Sequence, residues 1–276
     1  MNNKDNILPW DAERYHNISN IQEQWGRGLI LRRKWKGNEI VMDAGCGTGR
    51  VTKLLAEKVS RGGMVYAIDI DTNMIQQTRK NLAGFKNVTI IQSDLHNVDL
   101  PRKINVIYSN AVLHWISEHK KIFQHFWKLL CNDNNNSSSN NNNKGGQLLI
   151  QCGGYGNLEK VHRLINLVKE SDEFKDYFMD WKEPWYFAKP SETHTLLEEI
   201  GFKNVNVYLS NGYTTFSEQK SYSEFIKTIV MRPFLDYLPN KKIKSKYLNL
   251  FLDKVEQSNL SWILDYVRLN IMADKQ

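Results

Sequence analysis

The chain has 276 residues, of which 41% are hydrophobic and 24% charged, with a net charge of +7. That length allows one large α/β domain or a core with a cap, and the composition is ordinary for a soluble protein. No apolar run is long enough to span a bilayer, the Met-Asn-Asn-Lys-Asp-Asn start lacks the apolar stretch of a signal peptide, and three cysteines without a Cys-x-x-Cys pair suggest neither a disulfide framework nor a metal site. The expected compartment is the reducing cytoplasm. The positive balance favours an acidic partner, but the only basic clusters are Arg32-Arg33-Lys34-Trp35-Lys36 and Lys241-Lys242-Ile243-Lys244. Both read as solvated helix ends, which argues against nucleic acid as the partner.

The first element is an arm. Between residues 8 and 36, Trp10, Tyr15, Ile18, Ile21, Trp25, Leu29 and Leu31 recur at intervals of three and four, a helical pattern. Residues 1–36 are expected to form an amino-terminal helical lid ahead of the remainder, 37–276. In an open α/β sheet the ligand lies outside the carboxyl ends of the strands, so such an arm can fold over that mouth or simply pack on the sheet.

Ile40, Val41 and Met42 then suit a strand buried on both faces, while Val51, Leu54, Leu55 and Val59 follow at helical spacing. Between them stand Asp43, Gly45, Cys46, Gly47 and Gly49, a strand end, a tight turn and a helix start. Glycine there permits positive φ and lets a ligand approach bare backbone with free N–H groups. The dinucleotide fingerprint has a similar turn but spaces its last two glycines three apart, and an acid at Asp43 would repel a pyrophosphate and attract a cation.

A second strand, Met64 to Ile68, ends in Asp69, twenty residues past Gly49, where a carboxylate can accept from both ribose hydroxyls. Asp71 is the second candidate, since it could instead cap the helix beginning near Thr72. A third strand, Val88 to Gln92, leads to Asp94 and Leu95, an acid placed to take an adenine amine or to cap its own loop. The fourth, Ile104 to Tyr108, runs into Asn110, Ala111, Val112, Leu113, His114 and Trp115. After a helix over 122–130, residues 132–146 are almost all Asn, Ser and Gly and are expected to be a disordered insertion.

Strand five is expected at Gln147 to Gln151, strand six at Asn204 to Leu209 and a final strand at Asp265 to Met272. Two helical cap insertions are expected, over 153–202 and 216–260. The first carries Phe174, Tyr177, Phe178, Trp181, Trp185, Tyr186 and Phe187, whose spacing reads as the apolar face of a helix or as a cage for an apolar ligand.

The pattern Asp43-x-Gly45-x-Gly47-x-Gly49 resembles motif I of the class I S-adenosylmethionine-dependent methyltransferases. The resemblance implies an α/β, Rossmann-like seven-stranded mixed sheet with its last strand antiparallel, flanked by helices. It implies a cofactor site of Tyr15, Asp43, Gly45, Cys46, Gly47, Gly49, Asp69, Ile70, Asp94, Leu95 and Asn110. Leu113-His114-Trp115, Tyr15 with Gln22, and Arg232-Pro233-Phe234-Leu235 followed by Leu238-Pro239 are similar to the small-molecule carboxyl O-methyltransferases, which act on acids such as trans-aconitate, juvenile hormone acid and the malonyl carrier protein. That likeness implies a small carboxylic acid as partner, oriented by Gln22, His114 and Trp115 with no metal.

Other readings of the same residues are a core Trp115, a helix-capping or buried His114 and a solvated Gln22. Methylation of RNA or protein, or a silent cofactor-binding regulator, are the rival functions. Enzymes that methylate nucleobase amines carry Asn-Pro-Pro and an aromatic residue after strand four, where this chain has Asn110-Ala111-Val112-Leu113.

Overall fold

Seven strands, β1 (Ile40–Ala44), β2 (Met64–Asp69), β3 (Val88–Gln92), β4 (Val106–Asn110), β5 (Gln147–Gly153), β6 (Lys203–Thr215) and β7 (Ile263–Asp274), form one sheet in the order β3-β2-β1-β4-β5-β7-β6. The computed structural model describes residues 9–132, 145–258, 260 and 262–276. Residues 133–144, most of the tract expected to be a disordered insertion over 132–146, lie outside these. β1 to β5 are parallel and β7 runs antiparallel to β5, pairing Gln147 with Asp274 through to Gly153 with Arg268. The expected mixed sheet is therefore the one observed.

Strands buried on both faces need helices on both, because successive side chains point to opposite sides. Val41, Val65, Val106 and Leu149 meet Leu29 and Ile30 of α2 (Asn20–Ile30) and Leu55 of α3 (Arg50–Lys58). Met42, Ile107, Leu148 and Ile150 face the other way, onto Phe123 and Phe126 of α5 (His119–Leu129) and Leu197 of α7 (Pro190–Ile200). A buried Phe of this kind contributes roughly 2–3 kcal/mol through the apolar area it removes from water.

The chain divides into two compact units. One comprises Trp10–Tyr155, Tyr186–Ser210 and Arg268–Gln276 and contains most of the sheet, with α1 (Ala12–Ile18) and α2 ahead of β1. The other includes Gly156–Trp185 and Asn211–Val267. Within it α6 (Glu159–Lys169) and α10 (Lys241–Glu256) are joined by the Tyr247 hydroxyl, which donates to the Ile165 carbonyl at 3.2 Å.

Three local expectations differ from the structure. The aromatic run after Phe174 is not a continuous helix, since only Lys175–Phe178 forms a short 3-10 turn. Pro184 removes a donor and restricts Glu183 before it, so the chain runs on extended. Its rings pack on one another instead, Trp181 stacking on Phe234 at 4.4 Å. The last two strands are longer than expected, because Ser210-Asn211-Gly212, a turn-like triplet, continues β6. Ile104 forms a separate bridge to Leu130, and β4 begins at Val106.

Candidate functional site

The turn after β1 uses its glycines for conformation. Gly45, Gly47 and Gly49 have φ of 82°, 55° and 81°, a region costly for residues with a Cβ. A Cβ at Gly45 would also collide with the Val112 side chain. The backbone amides contradict the expectation of free N–H groups. Those of Gly45 and Cys46 both donate to the Ile68 carbonyl at 2.8 Å, that of Gly47 to Asp69 Oδ2 at 2.8 Å, and that of Gly49 to the Cys46 carbonyl at 3.0 Å. A phosphate cradle aims such amides at its ligand. Here they are committed to the protein.

Asp43, 2% exposed, accepts from the Thr52 hydroxyl at 2.6 Å. Burial pushes its pKa up to about 7, opposed by the Thr52 hydrogen bond and reinforced by the charge of Asp69. A carboxyl whose folded pKa lies above its unfolded value of 3.8 opposes folding increasingly as pH rises through that window, and fully above pH 7. Asp43→Asn keeps the acceptor for Thr52 and removes the charge. The free variant should therefore gain on the order of 2–4 kcal/mol at pH 8, less at pH 5.5, read as a rise in Tm that shrinks with acidification. Equal Tm shifts at the two pH values would show that Asp43 is not held with a raised pKa.

At the end of β2, Asp69 braces the turn through Gly47 and accepts from the Asp71 amide at 3.0 Å. Burial raises its pKa as well. Asp71, the second candidate, caps α4 (Thr72–Asn81), accepting from the Asn73 and Met74 amides, and its other oxygen accepts from the Trp10 amide at 2.8 Å. Asp94 accepts from the His96 amide at 2.9 Å and lies 2.7 Å from the same residue's Nδ1, the loop-capping arrangement. Leu95 is buried in the core, whereas Ile70 is 60% exposed.

The arm is clipped to this end of the sheet. Asn110 Nδ2 donates to the Gln22 carbonyl at 2.9 Å, and the Tyr108 hydroxyl donates to the Gly26 carbonyl at 3.1 Å. Arg50, at the start of α3, pairs with Glu23 at 2.6 Å and donates to Asn20 at 2.7 Å. Tyr15 is half-buried, and desolvation of its hydroxyl, with the charge of Asp69, pushes that group up to about 12. A cleft with about 50 Å³ of interior space is lined by Tyr15, Gln22, Asp43, Gly45, Cys46, Gly47 and Asn110, together with Glu23 and Arg50. Gly49, Asp69, Ile70, Asp94, Leu95, His114 and Trp115 do not line it. The side-chain oxygens Gln22 Oε1 and Asn110 Oδ1 are buried without a protein partner.

After β4, Ala111 takes a φ of 59°, a strained value for a residue with a Cβ and worth on the order of 1–3 kcal/mol. That kink turns the chain so that Val112 covers Gly45 and Leu113–Trp115 form a 3-10 helix. His114 Nδ1 accepts from the Gly153 amide at 3.2 Å, which leaves Nε2 as the protonated nitrogen of a neutral ring. Burial, with the positive charge of Arg268 and His119, lowers its pKa to about 3. Trp115 stands edge-on to Trp10 at 6.0 Å, and Trp10 edge-on to Tyr15 at 5.4 Å, so the three rings form one row.

Trp10, the Glu23–Arg50 pair, Val112 and Arg268 were not expected at the site. Trp10 shows in the sequence only as one apolar position of the arm. Arg268 has a signal, a cation within the apolar run Ile263 to Met272.

Two partnerless carbonyl oxygens, a buried acid and a turn whose Gly45, Cys46, Gly47 and Gly49 amides are committed to the protein line or border one cleft, a setting that suits cationic rather than phosphate groups. A family model described as a methyltransferase domain matches residues 36–201. An uncharacterized methyltransferase of Schizosaccharomyces pombe is 26% identical over 97% of this chain and 98% of its own. A trans-aconitate 2-methyltransferase of Sinorhizobium fredii is 24% identical over 97% of this chain and 99% of its own, and a malonyl-[acyl-carrier protein] O-methyltransferase of Bacillus cereus is 25% identical over 79% and 76%. Among solved structures, phosphoethanolamine N-methyltransferase 2 of Haemonchus contortus, in complex with phosphomonomethylethanolamine and S-adenosylhomocysteine, superposes with a TM-score of 0.58 at 16% identity. That match covers 96% of this chain but only 56% of the other, and it shows the fold. The chain belongs to the methyltransferase-domain family and is an S-adenosylmethionine-dependent methyltransferase. Among the described residues, no helix is long and apolar enough to cross a membrane.

Proposed function

We propose that this methyltransferase esterifies a carboxylate of a small organic acid. The observation that carries the proposal is His114, held neutral with Nδ1 already engaged by the Gly153 amide. A ring with a pKa near 3 and one nitrogen occupied is no general base at neutral pH. Amines and phenols must lose a proton to be methylated, with unperturbed pKa values of about 10, whereas a carboxyl group with a pKa near 4 is already ionised. The names of two relatives, a trans-aconitate and a malonyl-carrier methyltransferase, support the same reading.

S-adenosylmethionine, when bound, supplies an electrophilic methyl group. Asp69 would hold the ribose hydroxyls, Asn110 Oδ1 the ammonium, and Asp43 would set a negative potential beside the turn. Gly45, Cys46, Gly47 and Gly49 would shape the bed, with Tyr15, Ile70, Asp94 and Leu95 around the nucleoside. Gln22, His114 and Trp115 would orient the acceptor oxygen. The Gln22 carboxamide is not committed through its oxygen, and a half-turn of the amide presents N–H groups in its place. Neutral donors suit this task, because a cation on the reacting carboxylate would stabilise a charge that the reaction removes. Orientation alone can be worth up to roughly 7–11 kcal/mol.

Residues 1–36 would act as a lid on 37–276, since the arm residues leave too little room in the cleft for a nucleoside until they shift. The segments within 153–202 and 216–260 would be caps. Free cofactor, a free acid and three free cysteines suit the cytoplasm. The test is incubation with methyl-labelled S-adenosylmethionine and a panel of free acids, trans-aconitate and longer apolar acids included, followed by extraction of volatile, base-labile ester. Ester from at least one acid is expected. Label appearing only on RNA or protein, or on nothing despite measured cofactor binding, would overturn the proposal.

A further inference from the structure

We propose that the trough between α5 and α7 is a second binding site, for a small amphiphilic anion with one acidic head and an apolar body. It shares no residue with the cofactor cleft. The trough offers about 470 Å³ and is lined by Lys120, Gln124, Trp127 and Lys128 of α5 with Glu199 and Ile200 of α7. That volume falls within the range of small-molecule sites, about 300–1,000 Å³. Six side chains are too few for a protein partner, since stable interfaces take roughly 20–30 residues a side.

The floor is apolar and built in advance. Trp127 and Ile200 are half-buried. The indole is fixed edge-on to Phe202 at 4.8 Å, and Lys275 Nζ lies 5.0 Å from the centre of its ring. Gly201, with a φ of 114°, ends α7 so close to that ring that a Cβ would stand 3.2 Å from it. An apolar body laid on this floor removes more apolar surface from water, and a floor already held in place spares the cost of ordering it.

The rim is cationic. Lys120, Gln124 and Lys128 recur every four residues, one stripe of the helix about 12 Å long. Both lysines are exposed. No acid occupies a position three or four residues from either: Ile116, Ser117, Phe123 and Gln124 surround Lys120, and Gln124, His125, Cys131 and Asn132 surround Lys128. Lys121, one position on, does pair with Glu118. Two more ammonium groups gather at the Lys128 end. Lys103 donates to the Lys128 carbonyl at 2.7 Å, and Lys275 donates to the Trp127 and Leu130 carbonyls at 2.6 and 3.0 Å. Burial lowers the Lys275 pKa, and the charge of Lys103 lowers it further. These cations repel one another, and an anionic head at Lys128 relieves that repulsion. With Glu199 as the one acid among the six lining residues, a single head fits better than a polyanion.

The probe is octanesulfonate, whose head is not a carboxylate acceptor, titrated calorimetrically at low ionic strength into protein saturated with S-adenosylhomocysteine. One molecule per chain is expected to bind with a Kd at or below about 100 µM. Methanesulfonate, which lacks the body, and octanol, which lacks the charge, should bind about tenfold more weakly or worse. Lys128→Gln should weaken octanesulfonate about fivefold, the upper end for a surface ion pair, and Lys120→Gln less, because its stem flanks the body. Glu199→Gln should tighten it about twofold. All three side chains are exposed, and retained Tm and S-adenosylhomocysteine binding certify folding. Equal binding of octanol would overturn the inference. So would no binding, or octanesulfonate binding that Lys128→Gln and Glu199→Gln leave unmoved. None of these results bears on the ester assay, so this inference and the carboxyl reading fail separately.

Discussion

Asp69→Ala is expected to weaken S-adenosylhomocysteine binding about a hundredfold, measured by calorimetry at pH 8. A charged carboxylate accepting hydrogen bonds from a ligand contributes roughly 1.5–3 kcal/mol, and the upper end of that range is two decades of affinity. The upper end applies because the same side chain braces the glycine turn through the Gly47 amide, so its loss removes a ligand contact and loosens the bed. Burial raises the Asp69 pKa, so wild-type affinity should itself decline as pH falls and the carboxylate takes up a proton. Asp71→Asn is the control. Its carboxylate caps α4 and holds the Trp10 amide, and asparagine caps nearly as well. Binding within about threefold of wild type is expected there. Reversed rankings would transfer the ribose to Asp71.

Trp115→Ala and Gln22→Ala should each lower kcat/KM for ester formation by about a hundredfold or more while S-adenosylhomocysteine affinity stays within about threefold, because misplacing an acceptor by an ångström can cost two decades in rate. Trp115 is tied to the arm through the edge of Trp10, so alanine removes both a donor and a ring that packs. Trp115→Phe separates the two. A phenylalanine enzyme as slow as the alanine one points to the indole N–H, and a phenylalanine enzyme near wild type points to packing. Full turnover in both alanine variants would return Trp115 and Gln22 to structural duty.

The sheet was legible because β1, β2, β4 and β5 are largely apolar on both faces and the first three strands end in or run into acids. Val41 and Met42 announce two cores, and Asp43, Asp69 and Asp94 mark three strand ends. The site was legible only where chemistry sits at such an end. Nothing in the sequence reveals that the Gly45, Cys46 and Gly47 amides turn inward, because their acceptors, the Ile68 carbonyl and Asp69, come from the next strand. The left-handed Ala111 was equally hidden, since alanine carries no preference for that conformation. Phe174, Tyr177, Phe178 and Trp181 misled by period: Trp181 stacks on Phe234 of a separate segment, a contact that helical spacing cannot tell from one apolar face.

The matched methyltransferase domain begins at residue 36, whereas Trp10, Tyr15 and Gln22 precede it and Arg268 lies far beyond its end at 201. The cleft is thus built from two stretches of one polypeptide, the arm and the matched domain. Two enzymes alike from 36 to 201 can therefore differ in the wall that the arm presents to the cleft, and a chimera that exchanges only the first 35 residues is expected to keep methyl transfer while its preference among acceptors shifts toward the other parent.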